Sequence, residues 1–278
     1  MKKICFTTIL DDTYILGAIT MIHSLLASNK NFNYDFLILD WGNLSANNKQ
    51  KLLKLYKKIK FIPVETHLYK NCLYDNQIRE WSYNCNYRFD IFTFEDYEKI
   101  VFIDCDFLIQ TDFTSLLKKE LDFAAVPSIK KYVQQALGNS CFSAGFLVIG
   151  KKYIKPIIRD DLIKLSLSPA PKSELNTNLW TSDEPILNNY FKEFTPLPIK
   201  YNTLLCNYTP SALTKKQNIH FNGYNKPWLC KTISECFDKY TLNSFLANYG
   251  TSKGLMSLKM LLNKYGKTTD DAIAKYEL

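Results

Sequence analysis

Ile100-Val101-Phe102-Ile103-Asp104-Cys105-Asp106 has the pattern of an apolar strand that ends in two carboxylates, with one residue between them. Side chains alternate along a strand, so Asp104 and Asp106 are expected to point to the same side. Open α/β sheets bind ligands at the carboxyl ends of their parallel strands, and paired carboxylates there suit a hard cation such as Mg²⁺ or Mn²⁺. The alternative is a strand-end turn with two solvated aspartates, because an Asp-x-Asp pair is short and common.

Upstream of this stretch, short apolar runs alternate with helical periods. The predicted strands are Ile4–Thr8, Phe36–Leu39, Phe61–Val64 and Ile100–Ile103, and the predicted helical segments are Tyr14–Ala27, Ala46–Lys58 and Arg88–Phe94. Ser45 is a suitable N-cap for the second helix, and Pro63 places the third strand at a sheet edge. Strands that alternate with helices indicate right-handed βαβ units and a mainly parallel sheet.

Downstream of Asp106 the alternation is less regular. We predict strands at Phe123–Val126 and Gly145–Ile149, a loop over Ser166–Asn178, a helix over Asp183–Phe191, and helical structure from Ile233 that ends in Leu255–Tyr265. The sequence contains no internal repeat and no long linker. We therefore predict a single α/β domain over residues 1–232, with a helical C-terminal appendage over residues 233–278.

The composition is that of a globular protein. Among 278 residues, 35 Lys and Arg face 27 Asp and Glu, and 46% are hydrophobic, which excludes disorder for most of the chain. No apolar run approaches the roughly 20 residues of a spanning helix, and the stretch after Lys2-Lys3 ends at Asp11-Asp12, without a signal peptide's hydrophobic region. We therefore expect a cytoplasmic protein. No C-x-x-C pair, zinc-finger, RNP-like or basic-helix motif points to zinc or a nucleic acid.

A second segment with chemical potential runs from Ile219 to Trp228 and reads IHFNGYNKPW. A neutral His220 imidazole could supply a third metal ligand, and a nitrogen ligand favours Mn²⁺ over Mg²⁺. Gly223 permits close approach of a ligand to the backbone, and Lys226 is a point charge suited to a phosphate. The alternative is a surface loop with a packed Trp and a structural His.

Two further segments carry weaker signals. Cys141–Ile149 places small residues before a strand, which would let a ligand approach the backbone, although a tight turn into a buried strand explains the pattern equally. In Thr181–Asn188, Asp183 and Glu184 follow the potential N-cap Ser182, and the helix dipole alone would account for both acids. Neither G-x-G-x-x-G nor G-x-x-x-x-G-K-[ST] occurs, so no Rossmann dinucleotide site or P-loop is indicated.

Taken together and in this order, the motifs resemble those of glycosyltransferase family 8, from Ile4 to Trp228. The resemblance implies a GT-A fold, a UDP-sugar donor, Mn²⁺ and retention of the anomeric configuration. It implies that Thr8 and Asp11 contact the uridine, that Tyr14 stacks near the base and that Arg88 reaches the donor. The remaining implied roles are a metal site at Asp104, Asp106 and His220, diphosphate contacts at Asp104, Gly223 and Lys226, sugar contacts at Ser143, Ala144 and Gly145, and a catalytic pair at Asp183 and Glu184.

The sequence departs from the family pattern at two of these positions. The family usually has Asn at the position of Ser143 and Gln at the position of Glu184. A carboxylate at 184 could stabilise the cationic transition state, attack the anomeric carbon, or bind a different donor hydroxyl. We therefore expect the metal and phosphate positions to be functional and leave the donor sugar open between UDP-Gal and UDP-Glc.

The expected activity is Mn²⁺-dependent transfer of a hexose to a glycan or glycolipid acceptor, such as a bacterial lipopolysaccharide. The alternatives are a glycogenin-like primer that glucosylates itself and a sugar-nucleotide-binding protein without turnover. We expect Arg79–Asn86 and the Ser166–Asn178 loop to shape the acceptor site.

A lysine-rich segment follows Ser45 and contains Lys49, Lys51, Lys54, Lys57, Lys58 and Lys60. With the apolar stripe Leu52, Leu55, Tyr56 and Ile59, it is expected to be the solvated face of an amphipathic helix. The alternative is peripheral contact with anionic lipid at the inner face of a membrane.

Overall fold

The computed structural model describes residues 3–73, 82–128, 141–170, 182–205, 208–222, 226–230, 235 and 251–278. The first half alternates strands and helices as the sequence predicts: β1 (Ile4–Ile9), α1 (Ile15–Ser28), β2 (Asp35–Asp40), α2 (Ala46–Leu55), β3 (Ile59–Pro63), α3 (Ser82–Cys85) and β4 (Lys99–Ile103). Short 3₁₀ segments cover Asp12–Tyr14, Thr66–Tyr69 and Asn86–Thr93. The helical segment predicted around Arg88 is therefore a 3₁₀ helix.

The second half contains longer strands than predicted, together with several very short elements. They are β5 (Phe107–Leu108), α4 (Thr114–Leu117), β6 (Phe123–Pro127), β7 (Phe142–Gly150), α5 (Pro156–Ser166), α6 (Asp183–Tyr190), β8 (Thr195–Pro196), β9 (Thr203–Leu204), α7 (Ser211–Thr214), β10 (Ile219–His220) and α8 (Thr251–Tyr276), with 3₁₀ turns at Lys151–Tyr153 and Ile199–Tyr201. The helix predicted over Asp183–Phe191 is confirmed.

The central sheet has the strand order β3-β2-β1-β4-β7-β6-β8. The pairs β3–β2, β2–β1, β1–β4 and β6–β8 are parallel, whereas β7 runs antiparallel to both β4 and β6. The mainly parallel sheet is thus confirmed, and β3 lies at its edge as Pro63 indicates. Because β7 is antiparallel, its first residues reach the carboxyl end of β4, where Ile103 pairs with Phe146.

A second, small sheet brings His220 to the same edge. β10 pairs antiparallel with β5 and parallel with β9, so that His220 lies opposite both Phe107 and Leu204. The chain enters β5 directly after Asp106, and the Phe221 amide donates to the Asp106 carbonyl at 2.9 Å. A distant stretch of sequence is therefore fixed next to the carboxylates that end β4.

Apolar side chains cover both faces of the central sheet. One cluster joins β1, β2 and β4 to α1 and α2, and includes Phe6, Ile22 and Val101. The other packs the Asn86–Thr93 segment, α5 and α6 against the opposite face and includes Phe92 and Leu162. Burial on both faces explains why the parallel strands read as nearly continuous apolar runs.

The C-terminal helix α8 packs on this body. Leu258, Leu261, Tyr265 and Ala272 are buried, and the Thr269 and Thr20 hydroxyls lie 2.6 Å apart. The helix continues to Tyr276, so the predicted end at Tyr265 is wrong, because the apolar face extends along α1 through Ala272. The domain boundary predicted at residue 232 lies outside the described residues and stays a prediction.

One other prediction needs correction, and one helix was not predicted. The helix predicted over Ala46–Lys58 ends at Leu55, since Tyr56 is extended and the chain then pairs with β2 as β3. Lys57, Lys58 and Lys60 therefore lie outside the helix. The segment before the predicted Ser166–Asn178 loop is helix α5, and most of that loop lies outside the described residues.

Among the described residues, no helix combines the length and apolarity needed to cross a bilayer.

Candidate active site

Three potential metal ligands meet at the carboxyl end of β4. One ligand atom each from Asp104, Asp106 and His220 lies within 4.8 Å of the others. His220 Nε2 is 3.6 Å from Asp104 Oδ2 and 3.2 Å from Asp106 Oδ1. Asp106 and His220 are buried and Asp104 is partly exposed, so the cluster can be reached from one side. The three residues predicted as metal ligands are thus brought together.

The orientation of His220 is set by neighbours on two sides. Its ring stacks on Phe107 with the centroids 4.4 Å apart, and Nδ1 lies 3.0 Å from Asn202 Oδ1. Sequence analysis missed Asn202, because a single Asn between Tyr201 and Thr203 belongs to no motif. The partner at Nδ1 leaves Nε2 facing the two carboxylates.

Gly145 makes this approach feasible. A Cβ atom at residue 145 would lie 2.4 Å from His220 Cε1 and 3.0 Å from Asp104 Oδ2. Contacts below 3.0 Å force one of the groups to move. Gly145 was predicted to let a ligand approach the backbone. In the structure it leaves room for the His220 and Asp104 side chains.

Arg88 connects the cluster to the strand β7 and the helix α6. Its guanidinium donates to Asp104 Oδ1 at 2.9 Å and to the Ala144 carbonyl at 2.8 Å. Arg88 Nε lies 2.9 Å from Asp183 Oδ2, close enough for an ion pair, although the N–H is not aimed at that oxygen. The guanidinium also lies over the Phe102 ring. Arg88 is only 5% exposed, so its charge is neutralised inside the protein.

Asp183 and Glu184 begin helix α6, and both point back to this region. The Ala144 amide donates to Glu184 Oε2 at 3.0 Å. Burial raises the pKa of Asp183 to about 7, although Arg88 opposes the shift. The helix-capping interpretation of these acids is incomplete, since one contacts β7 and the other contacts Arg88.

Lys226 approaches the cluster from the segment after β10. Its Nζ donates to Asp106 Oδ2 at 2.5 Å and to the Phe221 carbonyl at 3.0 Å, and it lies 5.7 Å from the centre of the Tyr14 ring. Burial would raise the pKa of Asp106, but Lys226 and His220 outweigh it and hold that pKa well below its usual range. For Asp104 burial dominates and raises the pKa, with Arg88 and His220 opposing.

Trp228 joins this segment to the first β–α loop. Its indole Nε1 donates to the Thr13 carbonyl at 3.2 Å, and its ring meets Tyr14 edge-on at 5.6 Å. On its other side the ring stacks on Tyr265 of α8 at 6.2 Å. We call the contacts among Thr13, Tyr14, Trp228 and Tyr265 the aromatic clasp.

The predicted nucleotide contacts begin this first loop. The Asp11 carboxylate accepts from the Thr13 and Tyr14 amides and so caps the 3₁₀ turn. Thr8 is buried on β1, and its hydroxyl has no hydrogen-bond partner among the described residues. Gly223 lies outside the described residues, so its predicted contact with a diphosphate stays a prediction.

The charges of the site fit a divalent cation. Four acidic side chains (Asp104, Asp106, Asp183 and Glu184) lie around the two basic side chains Arg88 and Lys226. The acidic groups outnumber the basic ones, so a bound cation would help to balance the site. Two carboxylates and one imidazole form a mixed oxygen and nitrogen ligand set that suits a divalent cation. The arrangement can therefore hold one divalent ion next to a lysine and an arginine, as an anionic diphosphate requires.

Comparison with known proteins agrees with this geometry. A family model described as "Glycosyl transferase family 8" matches residues 5–232. A putative UDP-glucuronate:xylan alpha-glucuronosyltransferase 3 from Arabidopsis thaliana is 27% identical over 84% of this chain and 36% of its own length. General stress protein A from Bacillus subtilis is 23% identical over 83% of this chain and 89% of its own length. The chain thus spans about a third of the plant relative.

Solved structures share the fold. The galactosyltransferase LgtC, in complex with donor and acceptor sugar analogues, has a TM-score of 0.66 at 18% identity, covering 92% of this chain and 95% of its own. The bifunctional glycosyltransferase WbbM has a TM-score of 0.61 at 22% identity, covering 82% of this chain and 47% of its own. These likenesses confirm the predicted α/β fold of the GT-A class. By the match over residues 5–232, the chain belongs to glycosyl transferase family 8.

Proposed function

We propose that this glycosyltransferase moves a hexose from a UDP-sugar to a glycan acceptor, with Mn²⁺ and with retention of the anomeric configuration. The observation that carries the proposal is the cluster of Asp104, Asp106 and His220, with Arg88 on one carboxylate and Lys226 on the other. A nucleoside diphosphate and a divalent ion together need such a mixture of acids and bases.

The nucleotide is proposed to be uridine diphosphate. The plant relative is named for a UDP-glucuronate donor, and family membership supports a nucleotide-sugar. Thr8, Asp11 and Tyr14 are proposed to contact the uridine, since they lie in or beside the loop that the aromatic clasp holds. The unpartnered Thr8 hydroxyl supports this role, because buried polar groups usually have a partner.

The diphosphate is proposed to lie over the metal cluster. Asp104, Asp106 and His220 would hold Mn²⁺, or Mg²⁺ in its place. A bound divalent ion supplies Lewis acidity that stabilises charge on a leaving diphosphate. Lys226, with Gly223 nearby in the sequence, would hold the diphosphate oxygens, and Arg88 would face the phosphate and the sugar. Both cations are already positioned by carboxylates, so little reorganisation is needed at the reaction.

The sugar is proposed to lie against the start of β7, at Ser143, Ala144 and Gly145. As the bond from the anomeric carbon to the diphosphate oxygen breaks, the acceptor oxygen bonds that carbon and its proton passes to the departing diphosphate. The Glu184 carboxylate, fixed by the Ala144 amide, would then stabilise positive charge at the anomeric carbon. The alternative is that the Glu184 carboxylate attacks this carbon and displaces the diphosphate, which forms a glycosyl-enzyme ester. The acceptor hydroxyl would then displace the carboxylate and give its proton to the diphosphate. Asp183 would orient Arg88.

The acceptor is proposed to be a bacterial surface glycan or glycolipid, such as lipopolysaccharide, reached from the cytoplasm. Lysines around α2 could then contact anionic lipid. In the structure several of these lysines have local partners: Lys49 pairs with Asp40 at 2.6 Å, Lys60 with Asp35 at 2.7 Å, and Lys54 donates to the Glu277 carbonyl at 3.0 Å. Peripheral membrane contact is therefore the least supported part of the proposal.

The experiment is UDP release from UDP-Gal, UDP-Glc, UDP-GlcNAc, UDP-GalNAc and UDP-glucuronate, each with Mn²⁺ and with EDTA. Slow hydrolysis of one donor, lost in EDTA and in the Asp104→Ala variant, is the expected result. Full activity of that variant would contradict the metal assignment. With a donor labelled in its sugar, transfer of the label to the protein itself would favour a self-glucosylating primer. UDP binding without release from any donor would favour a protein that binds the nucleotide without turnover.

A further inference from the structure

We propose that Asn202 is a positioning residue that keeps the Nδ1 proton and the ring plane of His220 fixed, so that the Nε2 lone pair faces the metal position. The inference rests on the proposed function, since it assumes that the cluster of Asp104, Asp106 and His220 binds a divalent ion. It adds a residue outside the predicted site.

The contacts of Asn202 support this role. Asn202 is 2% exposed, and its Oδ1 lies 3.0 Å from His220 Nδ1. A histidine that binds a metal through Nε2 must carry its proton on Nδ1, and that proton needs an acceptor. The Asn202 carbonyl oxygen is such an acceptor, whereas the Asp104 and Asp106 carboxylates face the other ring nitrogen.

The amide of Asn202 is itself held in place. Its Nδ2 donates to Ser143 Oγ at 3.2 Å, and its backbone amide donates to the Ile199 carbonyl at 3.0 Å. Because the amide nitrogen is engaged by Ser143, Asn202 presents its oxygen to His220. The pair also links the metal cluster to β7, the strand proposed to contact the donor sugar.

Neighbouring elements make this geometry rigid. Thr203, the next residue, pairs with Ile219 in the small sheet, and Asn218 donates to the Tyr201 carbonyl at 3.2 Å. Phe107 covers one face of the His220 ring. Rotation of the ring about its long axis is therefore limited by packing, while the position of the proton is set by Asn202.

The test is a titration of Mn²⁺ into the full chain with UDP present. The concentration of free Mn²⁺ is monitored by electron paramagnetic resonance. We expect Asn202→Leu to weaken Mn²⁺ binding by about 10- to 100-fold, the range typical for residues that orient a metal ligand. Asn202→Asp keeps the acceptor, because the Ser143 hydroxyl can turn and donate to it, and should stay within a few-fold of wild type. Ser143→Ala should give a small loss.

The matched control is Asn29→Leu. Asn29 is also a buried amide, with bonds to the Leu25 and Thr111 carbonyls and to the Phe113 amide, but none to the cluster. The Asn29→Leu variant should have a lower melting temperature and an unchanged affinity for Mn²⁺. Unchanged Mn²⁺ affinity in Asn202→Leu, or an equal loss in the Asn29 control, would overturn the inference. Failure of the wild type to bind Mn²⁺ would overturn the proposed function as well.

A spectroscopic readout separates positioning from general destabilisation and does not depend on a metal. The chain has only three histidines, so imidazole ¹H–¹⁵N correlations can be assigned with His220→Gln. We expect a slowly exchanging Nδ1 proton for His220 in the wild type and in Asn202→Asp. Its absence from the wild type, or its persistence in Asn202→Leu, would contradict the inference even if the leucine variant folds poorly.

Discussion

Arg88 and Lys226 each neutralise one carboxylate of the metal cluster, but their surroundings differ. Arg88 is enclosed by Asp104, Asp183, the Ala144 carbonyl and the Phe102 ring, all on elements of the main body. Lys226 lies on a segment after β10 and contacts Asp106, the Phe221 carbonyl and the Tyr14 ring. Arg88 is therefore held by the main body of the protein, whereas the position of Lys226 depends on the segment after β10.

The aromatic clasp explains how the second cation is held. Trp228 is only half-buried, and it is supported by one hydrogen bond to Thr13 and by ring contacts with Tyr14 and Tyr265. Loss of Arg88 should therefore act mainly on folding stability, and loss of Lys226 mainly on nucleotide affinity.

The largest effect is expected from Arg88→Met. It leaves buried carboxylates without their cation, and breaking a buried pair costs about 3–5 kcal/mol of unfolding free energy. Lys226 is as buried as Arg88, at 6% exposed, but residues 227–230 after it are partly or fully exposed. Lys226→Met should therefore cost less, about 1–2 kcal/mol, because water can reach Asp106 from that side; its larger effect should be on UDP affinity. Chemical denaturation and UDP titration of both variants measure the contrast.

The control for this pair is Arg159→Met. Arg159 is about one-fifth exposed and pairs with the solvent-accessible Asp160 at 2.8 Å. It also lies 3.9 Å from the buried Asp90, but that carboxylate keeps its hydrogen bond from Tyr69. The loss of Arg159 should therefore cost about 1 kcal/mol, well below the loss expected for Arg88. Equal stability losses for the Arg88 and Lys226 variants would mean that both cations belong to the same rigid unit, against our account.

A second effect concerns pH. Burial raises the pKa of Asp183 to about 7 despite Arg88. A carboxyl whose pKa is raised on folding contributes stability below its ordinary pKa, and this contribution is lost as the pH rises through about 7. In the metal-free protein, Asp183→Asn should therefore gain stability relative to wild type between pH 4 and pH 8, on the order of 1.4 kcal/mol per pKa unit.

The free energies of unfolding of the wild type and of Asp183→Asn, measured between pH 4 and pH 8, test this prediction. Subtracting one from the other removes the contribution of groups that titrate alike in both proteins. If the wild type instead becomes more stable than Asp183→Asn as the pH rises, the ion pair with Arg88 outweighs the effect of burial.

A third prediction concerns the approach of His220 to β7. In Gly145→Ala the added Cβ would meet His220 Cε1 at 2.4 Å. We expect a stability loss of about 1–3 kcal/mol from overpacking and the loss of Mn²⁺ binding, measured by titration. Gly266→Ala is the control, because among the described residues, apart from the helix's own backbone and the chain neighbours, no atom lies within 4 Å of a Cβ there. It should stabilise helix α8 by about 0.5–1 kcal/mol. Unchanged Mn²⁺ affinity in the Gly145 variant would show that the histidine can move without consequence.

The smallest effect is expected from Trp228→Phe. It keeps the ring contacts and removes the hydrogen bond to the Thr13 carbonyl, which is worth about 0.5–1.5 kcal/mol. UDP affinity should fall by about 3- to 10-fold, while the melting temperature falls by no more than about 3 °C. Isothermal titration with UDP and Mn²⁺ checks this. A large drop in stability with unchanged UDP affinity would assign Trp228 to the core instead.

The sequence predicted the part of the fold that local patterns encode. Strand β4, which ends just before Asp104, follows from apolar periodicity, and the edge position of β3 follows from Pro63. The helix after Ser45 was predicted too long, because Tyr56 is extended and pairing of β3 with β2 overrides the helical period. Helix α5 was missed, although Pro156 at its start and the buried Ile158 and Leu162 are a helical signal.

The candidate site divides in the same way. Asp104, Asp106 and His220 were predicted because two motifs and a family resemblance coincide. Asn202 was missed, because its role depends on a two-residue strand beside it and on Ser143, which lies 59 residues away in sequence. Such pairings arise from tertiary packing, and no local pattern encodes them.

The most direct test of the account is a crystal structure with UDP and Mn²⁺, with anomalous data that locate the ion. The account predicts a manganese peak between Asp104, Asp106 and His220 Nε2, with the diphosphate on its open side next to Lys226. A peak elsewhere, or a diphosphate bound away from these three side chains, would contradict the assignment of this cluster as the metal centre.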